Sequence, residues 1–140
     1  MRTKFTATLT LLAFCLTASL AFAGVMSFPK FKVNVPDGWE ASQEGPTVIL
    51  AANDKSASIS ITIAETEGMA IKDLAMGFSQ ALSGSEPQAD TESGGYQFTF
   101  KKGAVESDAL LTVEGKNYLL LVVTGENPQI QNILGSLEEK

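Results

Sequence analysis

Three pairs of acidic residues carry the spacing in this chain that comes nearest to chemistry. Glu65 and Glu67, Asp90 and Glu92, and Glu106 and Asp108 each stand two positions apart, and residues two apart on a β-strand share a face. Each pair would offer two carboxylates to a hard cation such as calcium. Calcium takes about six to eight oxygens, and no segment here follows the spaced-acid calcium loop. A solvated acidic strand face is the simpler reading of all three pairs. Two carboxylates also serve glycoside hydrolysis, but nothing in this short chain marks a sugar-stacking cleft beside them.

The other candidates are fewer. Lys101-Lys102, beside a turn and an aromatic strand, would grip an acidic partner or shield an edge from aggregation. Trp39 would stack on a ligand or, given its place beside a turn, cap the core. Met69 and Met76 fit the margin of a helical stripe and read as core or surface filling. There is no histidine, and the one cysteine is Cys15. Residues 24–140 therefore have no disulfide, no thiolate nucleophile, no Ser-His or Cys-His dyad and no ordinary zinc or haem ligand set. No catalytic, cofactor-binding or metal-binding residue is assigned, and a non-enzymatic protein without cofactors is expected.

The N-terminus sets the expected destination. Arg2 and Lys4 precede an uncharged run from Phe5 to Ala23 that closes Ala21-Phe22-Ala23, the pattern of a secretory signal peptide. Cleavage after Ala23 is expected, leaving 24–140 as one domain without a stable membrane anchor. The alternatives are a retained transmembrane anchor and acylation at Cys15, which the preceding Phe14 disfavours. Both basic residues outside the lysines of 24–140 lie in that leader, which has no acid, so the remainder carries 8 basic and 16 acidic residues, a net charge of −8. Such a charge repels phosphate backbones and anionic lipid, so neither nucleic acid nor a membrane surface is an expected partner. An exported chain without disulfides or an Asn-x-Ser/Thr sequon fits a bacterial periplasm or cell envelope.

The elements that must position these residues are legible from periodicity. Phe31, Val33 and Val35 alternate with polar residues as a first strand, ended by the Pro36-Asp37-Gly38 turn. Thr47 to Ala52 reads as a second strand, and Ile59, Ile61 and Ile63 mark a third. Short connections predict an antiparallel meander of these three. Ile71, Leu74, Ala75, Phe78, Ala81 and Leu82 recur at helical spacing, predicting a helix from about Ala70 to Ser83 with Gly84 as its cap. Ala89 to Glu92 suggests a short edge strand, and Tyr96, Phe98 and Phe100 a strongly alternating one. Val105 to Glu114 and Tyr118 to Thr124 predict a hairpin. The second of these is apolar on both faces and so is expected at the sheet centre. Asn127 as N-cap, Pro128, and Ile130, Ile133, Leu134 and Leu137 predict a closing helix. The sum is one α+β domain, an antiparallel β-sheet flanked by α-helices.

This layout resembles the Mog1/PsbP-like superfamily. The likeness rests on Val35-Pro36-Asp37-Gly38-Trp39 after the opening strand, a mid-chain helix, a long hairpin, and a closing helix with Ile133-Leu134-Gly135-Ser136-Leu137. Within that superfamily the chain looks most like small exported bacterial proteins of the DcrB type. The resemblance implies an α/β/α sandwich. The superfamily includes photosystem II extrinsic subunits and a regulator of a small GTPase, so it implies protein interaction rather than a shared reaction. The expectation is an exported interaction module with a protein partner in the envelope, possible assistance to a membrane or envelope complex being one form of it. The alternative is a periplasmic binder of a small ligand or divalent cation, using a gap between helix and sheet.

Overall fold

Ile59, Ile61 and Ile63 enter one hydrophobic cluster, while Leu120, on the neighbouring strand, enters another. That division organises the molecule. The computed structural model describes residues 24–140. The expected signal peptide, with Cys15 and the cleavage point after Ala23, lies outside the described residues.

In chain order the elements are β1 (Gly24–Ser27), β2 (Phe31–Val35), β3 (Trp39–Glu44), β4 (Thr47–Ala52), β5 (Ala57–Glu65), α1 (Ile71–Ala81), β6 (Gln88–Asp90), β7 (Gly95–Lys102), β8 (Val105–Glu114), β9 (Asn117–Gly125), α2 (Ile130–Gly135) and β10 (Glu138–Glu139). Seven strands form a sheet in the order β3-β4-β5-β9-β8-β7-β6, and β10-β2-β1 form a second, smaller sheet. Every neighbouring pair is antiparallel. The single α+β domain with a mostly antiparallel sheet and two helices agrees with the expectation.

Strand β9 takes the central place that its apolar sequence predicts. Its register puts Leu121 across from Ile61 on one side and Leu110 on the other, and Leu120 across from Thr62 and Leu111. Because successive side chains alternate between faces, β9 supplies both cores. Leu119, Leu121 and Val123 pack against the cluster holding Ile59, Ile61, Ile63, Ile130 and Ile133. Leu120, Tyr118 and Val122 belong with Leu74, Ala75, Phe98 and Leu111. Burying a leucine such as Leu74 or Leu120 is worth about 1.5–3 kcal/mol, so α1 is held mainly by this contact.

The opening of the chain departs from the expected meander. Phe31, Val33 and Val35 are buried, but β2 pairs with β1 and β10 in the second sheet. The missing partner of β4 is β3, which sequence periodicity did not reveal because only Trp39 and Ala41 of Trp-Glu-Ala-Ser-Gln-Glu are apolar and buried. The Pro36-Asp37-Gly38 turn, closed by Trp39 N–H donating to the Pro36 carbonyl at 3.2 Å, carries the chain from one sheet to the other.

The helix ends also differ. α1 stops at Ala81, and Ser83, with φ of +56°, takes the left-handed position expected of glycine. Ser83 N–H donates to the Gln80 carbonyl and Gly84 N–H to the Ser79 carbonyl, the paired bonds of a Schellman ending. Gly84 is required instead by closeness, since a Cβ there would meet the Thr99 carbonyl oxygen at 2.8 Å. The closing helix is shorter than the predicted stripe. Asn127 Oδ1 accepts from Gln129 N–H at 2.9 Å in a turn, Gln129 is the N-cap, and α2 begins at Ile130. After Gly135 the chain leaves the helix to pair Glu138 with Lys32.

Candidate functional site

Two of the three acidic pairs lose the shared strand face on which a cation would depend. Glu65 is the last residue of β5, whereas Glu67 lies beyond it with φ of +54°. Glu67 instead bears on Tyr118, whose hydroxyl is raised above its ordinary pKa by burial and then by this carboxylate. Asp90 ends β6 and serves the following turn. Its carboxylate accepts from Ser93 Oγ at 2.7 Å and from Glu92 N–H at 3.3 Å, and these bonds outweigh desolvation to hold its pKa below the usual value. Glu92 stands in that turn.

Only Glu106 and Asp108 keep the geometry. Both are exposed on β8, two residues apart, with Lys101 opposite Glu106 and Thr99 opposite Asp108 on β7. A cation there would meet a lysine on the same face and open solvent. Among the described residues no group of three or more His, Cys, Asp or Glu side chains is placed to hold a metal ion.

The lysine pair sits at the outer end of β7. β6 pairs with Gly95 to Gln97, and Ser85 bonds to Thr99, so among the described residues no strand flanks β7 on that side from Phe100 to Lys102. Two charges at an unpaired stretch oppose strand addition by another chain. Trp39 is 4% exposed and belongs to the core. Met69 and Met76 are exposed, at 50% and 37%, beside the helix stripe. Among polar side chains, buried Ser79 donates to the Ser85 carbonyl and buried Ser107 bonds to Thr124 Oγ1 at 2.6 Å, so neither is left to act as an unpaired nucleophile.

Among the described residues, several cavities open along strands and turns, and those named below are not lined by α1. A cavity of about 220 Å³ runs between Gln88, Gln97, Thr99 and Asp108. Another, of about 250 Å³, gathers Asp37, Trp39, Asp54 and Asn127 where three turns meet. Asp54 there is committed to its own turn, accepting from Ser56 N–H at 2.9 Å, and its pKa is lowered by Ser56. An apolar cleft of about 170 Å³ lies between Phe28, Phe31, Pro46 and Ile63. A fourth, of about 330 Å³, is lined by Ala51, Lys55, Ser58, Val105 and Thr124 among others. Periodicity gave no hint of these cavities, since each joins segments that are not consecutive in the chain.

Comparison with known proteins defines the class by fold. No family model matches the chain, and no curated protein matches it. Among solved structures, PsbP (CyanoP) from Synechocystis sp. PCC 6803 superposes with a TM-score of 0.53 at 12% identity, covering 91% of this chain and 98% of that one. A protein from Bacteroides thetaiotaomicron VPI-5482 gives a TM-score of 0.48 at 15% identity, covering 79% of this chain, which spans 45% of the length of that one. The chain has a PsbP-like fold. Among the described residues, no helix is long and apolar enough to cross a membrane.

Proposed function

We propose that this protein is an exported interaction module of the bacterial periplasm or cell envelope, of the DcrB type, in which an α/β/α sandwich acts as a docking body and catalyses no reaction. The observation that supports this reading is the likeness of fold to a PsbP over 91% of this chain and 98% of that one. The leader-like Phe5 to Ala23 run supports export. The absence of histidine and of cysteine beyond Cys15 supports a role without turnover. Its partner is a protein of the envelope, and nucleic acid and lipid surfaces are disfavoured by the net charge of −8 over residues 24–140.

The test is fractionation followed by site-specific photo-crosslinking in the intact cell, with probes on both sheet faces. The expected result is an N-terminus at Gly24, recovery from the envelope fraction, and one discrete adduct formed from one surface only. A protein retained in the cytoplasm, or crosslinks that are absent or scattered over every probe position, would overturn the proposal.

A further inference from the structure

Between β6, β7 and β8 the large sheet turns a polar face outward. Register sets Gln88 of β6 opposite Gln97 of β7, and Thr99 of β7 opposite Asp108 of β8. Gln97 and Thr99 are two apart on one strand, so all four side chains share a face. Phe98 and Ala109, between them in sequence, point the other way into the core under α1, at 3% and 2% exposed, and bring only main chain to this side. Ser85 closes the outer end, where its N–H donates to the Thr99 carbonyl at 2.7 Å and its hydroxyl accepts from the Thr99 N–H at 3.0 Å. These residues line the cavity of about 220 Å³.

The polar groups here are unspent, in contrast to the carboxylates of Asp54 and Asp90, which serve their own turns. Among the described residues, neither the Gln97 carboxamide nor the Asp108 carboxylate is engaged by another protein group, and Gln88 makes one long bond, from Nε2 to the Glu86 carbonyl at 3.4 Å. The lining has no lysine, so an anion finds no counter-charge. Its single carboxylate falls short of the roughly six to eight oxygens that calcium takes. Lys101 and Glu106 oppose each other in the next row of the same face, outside the lining. With no apolar side chain on this face of the lining, an aliphatic ligand gains little there. The chemistry left is that of a neutral ligand which donates and accepts at several points, since the carboxamides and hydroxyls do both and the carboxylate accepts. The volume is smaller than that of drug-sized sites. We propose that this cavity binds one neutral pyranose ring by its vicinal hydroxyls, with Gln88, Gln97 and Asp108 as the main contacts and Thr99 beside them. The sugar is bound and not cut, because hydrolysis uses a second carboxylate and Glu106 lies outside the lining, across from Lys101. This inference does not rest on the docking role and survives its failure.

The probes are glucose, galactose, mannose and N-acetylglucosamine, each titrated at millimolar concentrations into the purified protein and followed by backbone amide shifts. At least one is expected to give saturable one-to-one shifts confined to Ser85 to Gln88, Gln97 to Thr99 and Asp108. It should bind more tightly than glucuronate, which Asp108 repels, and than cyclohexanol, which lacks paired hydroxyls. Gln97→Ala and Asp108→Ala, both at exposed positions and checked for folding by circular dichroism, should each weaken that sugar by about ten-fold. Asp108→Asn, which keeps one acceptor, should lose less, and Glu40→Gln on the far edge strand should leave binding unchanged. A disaccharide ending in the same ring separates the two sources of the ligand: tighter binding than the monosaccharide assigns the site to the end of a glycan, weaker binding to a free sugar. Shifts that do not saturate with any of the four sugars, shifts that fall elsewhere or survive both alanine variants, or equal binding of cyclohexanol would each overturn the proposal. So would calcium or a neutral dipeptide amide that binds more tightly than every sugar at the same residues.

Discussion

The Ser136 hydroxyl accepts a hydrogen bond from the Asn34 backbone N–H at 2.9 Å and donates one to the Ile133 carbonyl at 2.7 Å. One side chain thus joins the middle of β2 to the last turn of α2, across 102 positions of sequence. Replacing it by alanine leaves the Asn34 N–H without this partner, while the Ile133 carbonyl keeps the Ser136 backbone N–H at 3.1 Å. Ser136→Ala should lower stability by about 1–2 kcal/mol, read by urea denaturation, with faster amide exchange in α2 and at Asn34 than elsewhere.

Ile133 is fully buried and, with Ile130, holds the six-residue α2 in place. A helix this short has little stability of its own. Ile133→Ala should cost about 2–5 kcal/mol, whereas Val25→Ala, at a position 69% exposed, should stay within about 0.5 kcal/mol of the parent. Thermal unfolding of the two variants side by side checks the contrast.

The sequence carried much of this architecture and missed part of it for definite reasons. The Ile59-Ile61-Ile63 alternation, the α1 stripe and the two-faced β9 are patterns of many apolar residues, and each appears where periodicity puts it. β3 was illegible because two buried residues, Trp39 and Ala41, make too short a pattern. The assignment of β2 to a second sheet depends on pairing with Glu138 and Glu139, more than a hundred residues away. Two of the three acidic pairs do not share a strand face, because a spacing of two implies one only inside a strand, and Glu67 and Glu92 lie outside one.

Two backbone positions make opposite predictions. Ser83 bears a left-handed φ with a side chain attached, so Ser83→Gly should stabilise the protein by about 0.5–1 kcal/mol. Gly125 has φ of +79°, and a Cβ there would collide with the Ser56 carbonyl oxygen. Gly125→Ala should therefore destabilise by about 2–4 kcal/mol. Chemical denaturation midpoints decide both.

Acid should loosen the β6–β7 turn. The Asp90 pKa is depressed, chiefly by the Ser93 hydroxyl, so the folded state binds its proton less readily than the unfolded chain does. Its contribution is complete above the ordinary aspartate range and is lost as pH falls through the lowered value. Glu139 has the opposite sign, since burial and then Glu114 raise its pKa. Its contribution is present when it is protonated and declines as pH rises through the raised value. Carboxyl titration by nuclear magnetic resonance should find Asp90 below and Glu139 above the usual values, and Asp90→Asn should remove the acid sensitivity of the amides from Asp90 to Gly95.

The last long strand to be synthesised, β9, lies between β5 and β8. A nascent or truncated chain lacking residues 117–125 therefore has two bare interior borders, on strands of nine and ten residues, where the finished molecule has none. Such borders invite adhesion to other polypeptides, and closing the sheet joins segments distant in sequence, a slow step. The large sheet thus acquires its midline only once residues 117–125 are free to pair on both sides.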